Sequence, residues 1–261
     1  MDVLNLACNE NDAKKDYSLA FIGAYTEHRN NRPVHWYTFL LASGDLRHVV
    51  RTLNNLPSNY SGSLKILLND INLPIVCRNI VLLLILANVS DESEAADIAL
   101  HFWYSLFMPG EYHTQITMIV TMFLQQHVQS DGSPIPLGRY STLSLCLPKG
   151  ATKYLGHLIS SSISIGDAQD EYNRVRNAPS RRDLRDRMYA GLKPSHRAAF
   201  QRYRRFGIIL PFGAMNAHFN CPNSSLFTLE GEWMQTDYAD PLEGWEWVTL
   251  ASPRIVPCHT C

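Results

Sequence analysis

The 261-residue chain is short of long apolar runs, of charge and of closely spaced cysteines, and each shortage removes a class of protein. Its longest apolar stretch, residues 80–87, lies just after Arg78 and is too short for a bilayer, which takes about 20 apolar residues to cross. The opening MDVLNLACNENDAKKDY lacks the basic start and apolar stretch of a secretion signal. A cytoplasmic protein without membrane attachment is expected. Six cysteines (Cys8, Cys77, Cys146, Cys221, Cys258, Cys261) are scattered along the chain, a usage that suits reduced thiols better than a disulfide framework. Charged residues make up 18% and the net charge is −1, so any attraction to nucleic acid must be local. The sequence also has no nucleophile elbow, no HExxH and no metal-binding Asp cluster. Zinc-finger spacing, an RNP-type strand and a clear helix-turn-helix are missing too.

What is present is a 46% apolar composition, enough for one large core or two modest ones. The most informative stretch is WYTFLLASGDLRHVVRTL, residues 36–53. Residues 36–41 form a short aromatic-rich apolar run that stops at Ala42-Ser43-Gly44-Asp45, as a buried strand does before a turn. Leu46, Val49, Val50 and Leu53 then recur at i, i+3, i+4, i+7, which predicts an amphipathic helix with one buried stripe. Ser43 or Asp45 can cap its first turn, and Gly44 lets the backbone bend. Residues 64–69 predict a second strand, ending at Asp70. Asn72 and Pro74 then open a helix that is apolar nearly all round over residues 75–87. Strand, helix, strand, helix within about fifty residues is the βαβ signature of a parallel sheet.

Residues 91–107 and 111–128 predict two further helices, separated by Met108-Pro109-Gly110. Residues 129–139, with Gly132, Pro134, Pro136 and Gly138, mark a boundary loop, and 142–147 predict a third strand. The expected organisation is an N-terminal arm over 1–33, a Rossmann-like core over 34–165, and a helical, basic then loop-rich part over 166–261. Between Glu171 and Phe206 eleven Lys or Arg residues face three acids, whereas residues 230–246 carry six acids and no Lys or Arg. The plain reading is a solvated basic face partly neutralised by the acidic segment. The functional reading is a partner surface at Arg181, Arg182, Arg185, Arg202, Arg204 and Arg205, with nucleic acid as the weaker alternative to protein.

Two ligand sites can be assembled from these elements. A nucleotide or S-adenosylmethionine site would use Ser43, Gly44, Asp45, Asp70 and Ile71 at the carboxyl ends of two strands, where open α/β sheets bind ligands. There Asp70 would accept hydrogen bonds from ribose hydroxyls. The bland account makes Asp45 a helix cap and Asp70 a turn former. A weaker zinc set pairs His218 and Cys221 with Cys258 and Cys261; free thiols are the alternative. His101, on the apolar HFWYSLF segment, reads as a satisfied core residue rather than a catalyst.

FLLASGDLRHVVRTL followed by LKILLNDINLPIVCRNIVLLLIL resembles the N-terminal domain of unknown function shared by the dynein axonemal assembly factor 3 family and fungal proteins that sometimes carry MYND zinc fingers. Gly44, Asp45 and Arg47 match the family's first turn, and Asp70, Arg78 and Asn79 its second. Ala42, Ser43 and Cys77 depart from it. PSHRAAFQRYRRFGIILPFG, FNCPNSSLF and DPLEGWEW also look like the fungal branch. The resemblance implies a methyltransferase-like, Rossmann-like parallel sheet and a role as a cytoplasmic assembly factor. With a degraded glycine turn, the expectation is a non-catalytic protein-binding factor with no cofactor; the alternatives are an S-adenosylmethionine-dependent methyltransferase and a nucleic-acid binder.

Overall fold

The computed structural model describes residues 17–21, 46–129, 133–138, 141–147, 149–160, 163–210 and 214–234. The chain divides into two compact units, Met1–Asn79 and Ile80–Cys261. The segment 129–139, read from its prolines and glycines as a boundary, lies inside the second.

In the first unit, strand β1 (Tyr17–Phe21) pairs in parallel with β2 (Leu64–Leu68), Tyr17 opposite Leu64 and Phe21 opposite Leu68. A parallel pair needs a crossover, and helix α1 (Arg47–Asn54) lies within it. The strand that partners β2 among the described residues thus comes from the segment assigned to the arm. The expected strand over residues 36–41 and the turn Ser43-Gly44-Asp45 lie outside the described residues. Side chains of β2 alternate between half-buried Leu64, Ile66 and Leu68 and exposed Lys65 and Leu67, the period-two pattern of a half-covered strand. On α1 the buried stripe is Leu46, Val49 and Thr52, while Leu53 is 39% exposed. The apolar spacing therefore locates the helix but places its buried face about one position off at the C-terminal end.

After β2, Asp70 Oδ1 accepts the Asn72 N–H at 2.8 Å, and the Asn72 carbonyl accepts the Val76 N–H at 3.1 Å. This side-chain turn launches helix α2 (Leu73–Asn88), as the Asn72-Pro74 signal predicts. Cys77, Val81 and Ile85 are fully buried. No helix among the described residues is long and apolar enough to cross a membrane.

In the second unit, Asp91 caps α3 (Glu92–Tyr104) by accepting the Glu94 N–H at 2.8 Å. Then follow β3 (Phe107–Pro109) and α4 (Gly110–Gln129), whose Ile116, Val120 and Phe123 are buried at helical spacing. The expected third strand proves to be a hairpin arm rather than part of a parallel sheet: β5 (Ser141–Leu143) pairs antiparallel with β4 (Ile135–Leu137). Gly138, at φ 69° directly after β4, adopts the left-handed backbone that lets the chain reverse. Helices α5 (Ala151–Ile159), α6 (Ile165–Arg176), α7 (Arg182–Gly191) and α8 (Pro194–Phe206) follow, with a 3-10 turn at Pro179–Arg181. Strand β6 (Phe219–Pro222) returns to pair antiparallel with β3. The fold is therefore a mixture of helices and two-stranded sheets, mostly helical among the described residues.

The core of this unit is tied together at the exit of α3. The Leu106 N–H donates to the Gly207 carbonyl at 2.7 Å, and the Leu106 carbonyl accepts the Asn223 N–H at 2.9 Å. Asn223, 1% exposed, sends its amide nitrogen to the carbonyls of Phe102 and Ser105, both at 2.8 Å, and of His101 at 3.2 Å. Its Oδ1 accepts the N–H and Oγ–H of Ser225 at 3.2 and 2.7 Å. One side chain thus closes the carbonyl end of α3 across more than a hundred residues of sequence, where a helix leaves orphan acceptors. Around it, Phe107, Tyr172, Ile208, Phe219, Phe227 and Trp233 share one apolar cluster.

Candidate functional site: an arginine-lined cleft

Three of the six arginines singled out from the sequence meet at one place. Arg185 on α7 and Arg204 and Arg205 on α8 line a cleft of about 480 Å³, together with Asn177, Asp186, Tyr189, Phe200 and Gln201. The helices hold this geometry through an aromatic contact and a hydrogen bond. The rings of Tyr189 and Phe200 lie 6.1 Å apart at 51°, and Gln201 Nε2 donates to Tyr189 Oη at 2.9 Å. Arg197 secures the end of α7, donating to the carbonyls of Leu192 at 3.0 Å and Ala190 at 3.1 Å with its guanidinium 5.3 Å from the Tyr189 ring centre.

The arginines are not equivalent. Arg204 is only 8% exposed, donates to the Arg176 carbonyl and lies 5.8 Å from the Phe200 ring centre, so it braces the floor of the cleft rather than standing on a solvated face. Arg205 is exposed, its guanidinium 5.2 Å from the Phe206 ring centre. Arg185 is half-buried, and its Nε donates to Asp186 Oδ1 at 3.2 Å. Arg182 is exposed and Arg181 half-buried at the start of α7, away from the cleft lining; half-buried Arg202 donates to the Ala214 carbonyl.

Elsewhere in the basic stretch, Arg176 is fully buried, with its guanidinium 5.8 Å from the Trp233 ring centre. Ala168, Tyr172 and Arg176 share one buried stripe at i, i+4, i+8, a spacing that could have separated Arg176 from its exposed neighbours. Arg174 instead grips Glu171 with two bonds of 2.6 and 2.7 Å, which hold the Glu171 carboxyl below its ordinary range.

Of the residues proposed for a cofactor crevice, Asp70 and Ile71 lie among the described residues. Asp70 forms the turn before α2, the bland role anticipated for it, and Ile71 is 75% exposed. Ser43, Gly44 and Asp45 lie outside the described residues. Of the zinc set, His218 is exposed and Cys221 half-buried in β6; Cys258 and Cys261 lie outside the described residues. Among the described residues no group of three or more His, Cys, Asp or Glu could hold a metal ion.

A polar cluster that sequence reasoning passed over runs along α3. His101 Nδ1 is 2.8 Å from Ser105 Oγ, and its Nε2 is 3.7 Å from Asp97 Oδ1, whose other oxygen accepts the Tyr112 hydroxyl. The residue types are those of a hydrolase relay, and the i, i+4, i+8 spacing was available as a signal. Ser105 is nevertheless fully buried, and its Oγ accepts the Ile209 N–H at 3.2 Å. No acyl group can reach that oxygen. Burial also drives the His101 imidazole from 6.5 down to about 4, against the pull of Asp97 and with a further push from His218. The cluster satisfies polar groups at the end of α3 and holds a neutral histidine in the core, edge-on to Phe219 at 4.8 Å between ring centres.

Residues 1–108 match the model of a family described as Domain of unknown function (DUF4470), a match that runs through α3 and ends inside β3. No curated protein and no solved structure matches the chain. The arginine cleft lies C-terminal to the matched region.

Proposed function

We propose that this protein is a non-catalytic binding or assembly factor that holds an acidic segment of a protein partner in the cleft between α7 and α8. The observation that carries this reading is the convergence of Arg185, Arg204 and Arg205 on a cleft floored by Tyr189 and Phe200. Guanidinium groups pair with carboxylates through two parallel N–H bonds, and the aromatic floor offers apolar contact to the segment between acids. The resemblance to the dynein axonemal assembly factor 3 family and the fungal MYND-associated proteins supports a cytoplasmic assembly role. On that resemblance the first unit is a degenerate, Rossmann-like methyltransferase scaffold kept as architecture.

Exposed ion pairs contribute only about 0.2–1 kcal/mol each and are screened by salt. Binding is therefore modest and salt-sensitive. Fluorescence anisotropy with a labelled glutamate-rich peptide tests it: the full chain should bind at low salt and release as salt rises. Arg185→Ala combined with Arg205→Ala should weaken binding by about fivefold, the sum of two such pairs. Unchanged affinity in the double variant, or binding of a single-stranded RNA oligonucleotide in preference to the peptide, would overturn the reading.

A further inference from the structure

We infer that a methionine-lined groove along α4 is a second docking surface, and that its occupant is a basic amphipathic helix of a partner protein. The groove shares no lining residue with the α7–α8 cleft and takes the opposite charge. It has a volume of about 410 Å³ and lies wholly within the second unit. Gln115, Met118, Ile119, Met122, Phe123 and Gln126 of α4 line it, at i, i+3, i+4, i+7, i+8 and i+11, so they form one face over three turns. Leu84 of α2, Glu94 of α3, and Ile135 and Pro136 of β4 complete the lining. Leu84, Phe123 and Ile135 are buried and supply an apolar floor, whereas Met118 and Met122 are 59% and 57% exposed.

The helix already buries Ile116, Val120 and Phe123, so the exposed methionine pair is a second apolar face rather than part of the core stripe. Flexible, polarizable thioethers suit a surface that packs against another protein's apolar side chains. Three turns of open face match a short helix laid alongside with anchors at the same spacing. An added strand fits poorly, because Pro136 of β4 has no N–H to offer it. Pro136 and both methionines are exposed, which makes this an open groove rather than a cavity that encloses a small molecule.

Charge selects the partner. No Lys, Arg or His lines the groove, and no Lys or Arg occurs between Arg78 and Arg139. Glu94 lines it, exposed Asp91 directly follows the lining residue Ser90, and Glu92 is exposed between them. Asp91 and Glu94 also serve the first turn of α3, as cap and dipole partner, and the face is negative all the same. Gln115 Nε2 donates to Glu94 Oε1 at 2.7 Å, which holds that carboxylate against α4 at the groove. Lys and Arg beside an apolar stripe satisfy both features at once, laying their alkyl stems on the thioethers and their heads on the acids. An acidic helix would set like charge against Glu94.

The test is methionine oxidation of the full chain by dilute hydrogen peroxide, read residue by residue by mass spectrometry. Exposed Met215 is the standard outside the groove and buried Met108 the protected one. In the free chain Met118 and Met122 should oxidise at rates near that of Met215. A saturating helical peptide of leucine and lysine, with leucines on one face, should slow both about tenfold and leave Met215 unchanged. A scrambled peptide of the same composition, and a counterpart with glutamate for lysine, should protect neither. Fluorescence anisotropy with the labelled peptide should show affinity about tenfold weaker in a Met118→Gln, Met122→Gln chain, which loses apolar contact at two exposed positions. Glu94→Gln should weaken it about threefold at low salt only. Equal protection by the scrambled or glutamate peptide would overturn the inference, as would unchanged affinity in both variants. Oxidation of the free chain as slow as at Met108 would overturn it too, because the chain itself would then cover the groove. So would protection that grows with protein concentration alone, since a second copy would be the occupant.

Discussion

Replacing Asn223 by alanine should cost the second unit more stability than any loss of exposed charge. The amide nitrogen serves the carbonyls of Phe102, Ser105 and His101, and its oxygen receives Ser225. Phe102 keeps a second donor in Ser225 Oγ at 3.1 Å, and His101 keeps the Ser105 N–H at 2.9 Å. The Ser105 carbonyl has no second donor among the described residues. Stranding a buried acceptor costs about 1–3 kcal/mol, and each of the other lost bonds about 1 kcal/mol net. Asn223, Ser224 and Ser225 are all at most 3% exposed, so water has little access to repair the loss. Over the stranded Ser105 carbonyl and the four other bonds the total is about 5–7 kcal/mol. At about 2–4 °C per kcal/mol for a unit of this size, the melting temperature should fall by about 10 °C or more. Urea unfolding of the full chain, followed by tryptophan fluorescence, measures it directly. Asn223→Asp keeps the shape but sets a carboxylate against three carbonyl oxygens, and should be at least as damaging at neutral pH. An Asn223→Ala chain within about 0.5 kcal/mol of the unaltered protein would refute the reasoning, because the closure of α3 would then have no energetic weight.

Gly207 ends α8 at φ 68°, and a Cβ there would meet Leu106 Cβ at 2.7 Å; Gly207→Ala should therefore destabilise by at least about 2 kcal/mol, read by the same urea curve. An unaffected midpoint would mean that this junction yields freely. For His101 the folded imidazole titrates near 4 and the unfolded one near 6.5, so the unfolded chain takes the proton first. Stability should hold above about pH 7 and fall by about 3 kcal/mol as the pH drops from 6.5 to 4. His101→Gln should flatten that part of the profile, and parallel profiles would show that other groups cause it. The cleft variants Arg185→Ala and Arg205→Ala should lower peptide affinity while leaving the urea midpoint within about 0.5 kcal/mol, because Arg205 is exposed and Arg185 only half-buried, with an exposed carboxylate as its partner. A large midpoint shift would make them structural residues instead.

Local chemistry was legible from the residues alone. Asn72 and Pro74 opening α2, Asp91 at the start of α3, and the core stripe of α4 all follow from capping and periodicity, which depend on neighbours a few positions away. The sequence by itself also determined where charge would concentrate, since a run of arginines is visible in any order of folding. The burial of Arg176 has a signal in its helical spacing with Ala168 and Tyr172, but tertiary structure alone decided that Arg204 is buried beside Phe200 while Arg205, its neighbour in sequence, is exposed. It alone also decided that β2 pairs with residues 17–21, that β5 belongs to a hairpin, and that Asn223 closes a helix more than a hundred residues upstream. Strand pairing and buried polar closure are contacts between distant segments, and no period or dipeptide encodes which partner will arrive. The physical reason is that a helix carries its own hydrogen bonds, while a strand edge and a helix end leave theirs to whatever the rest of the chain brings.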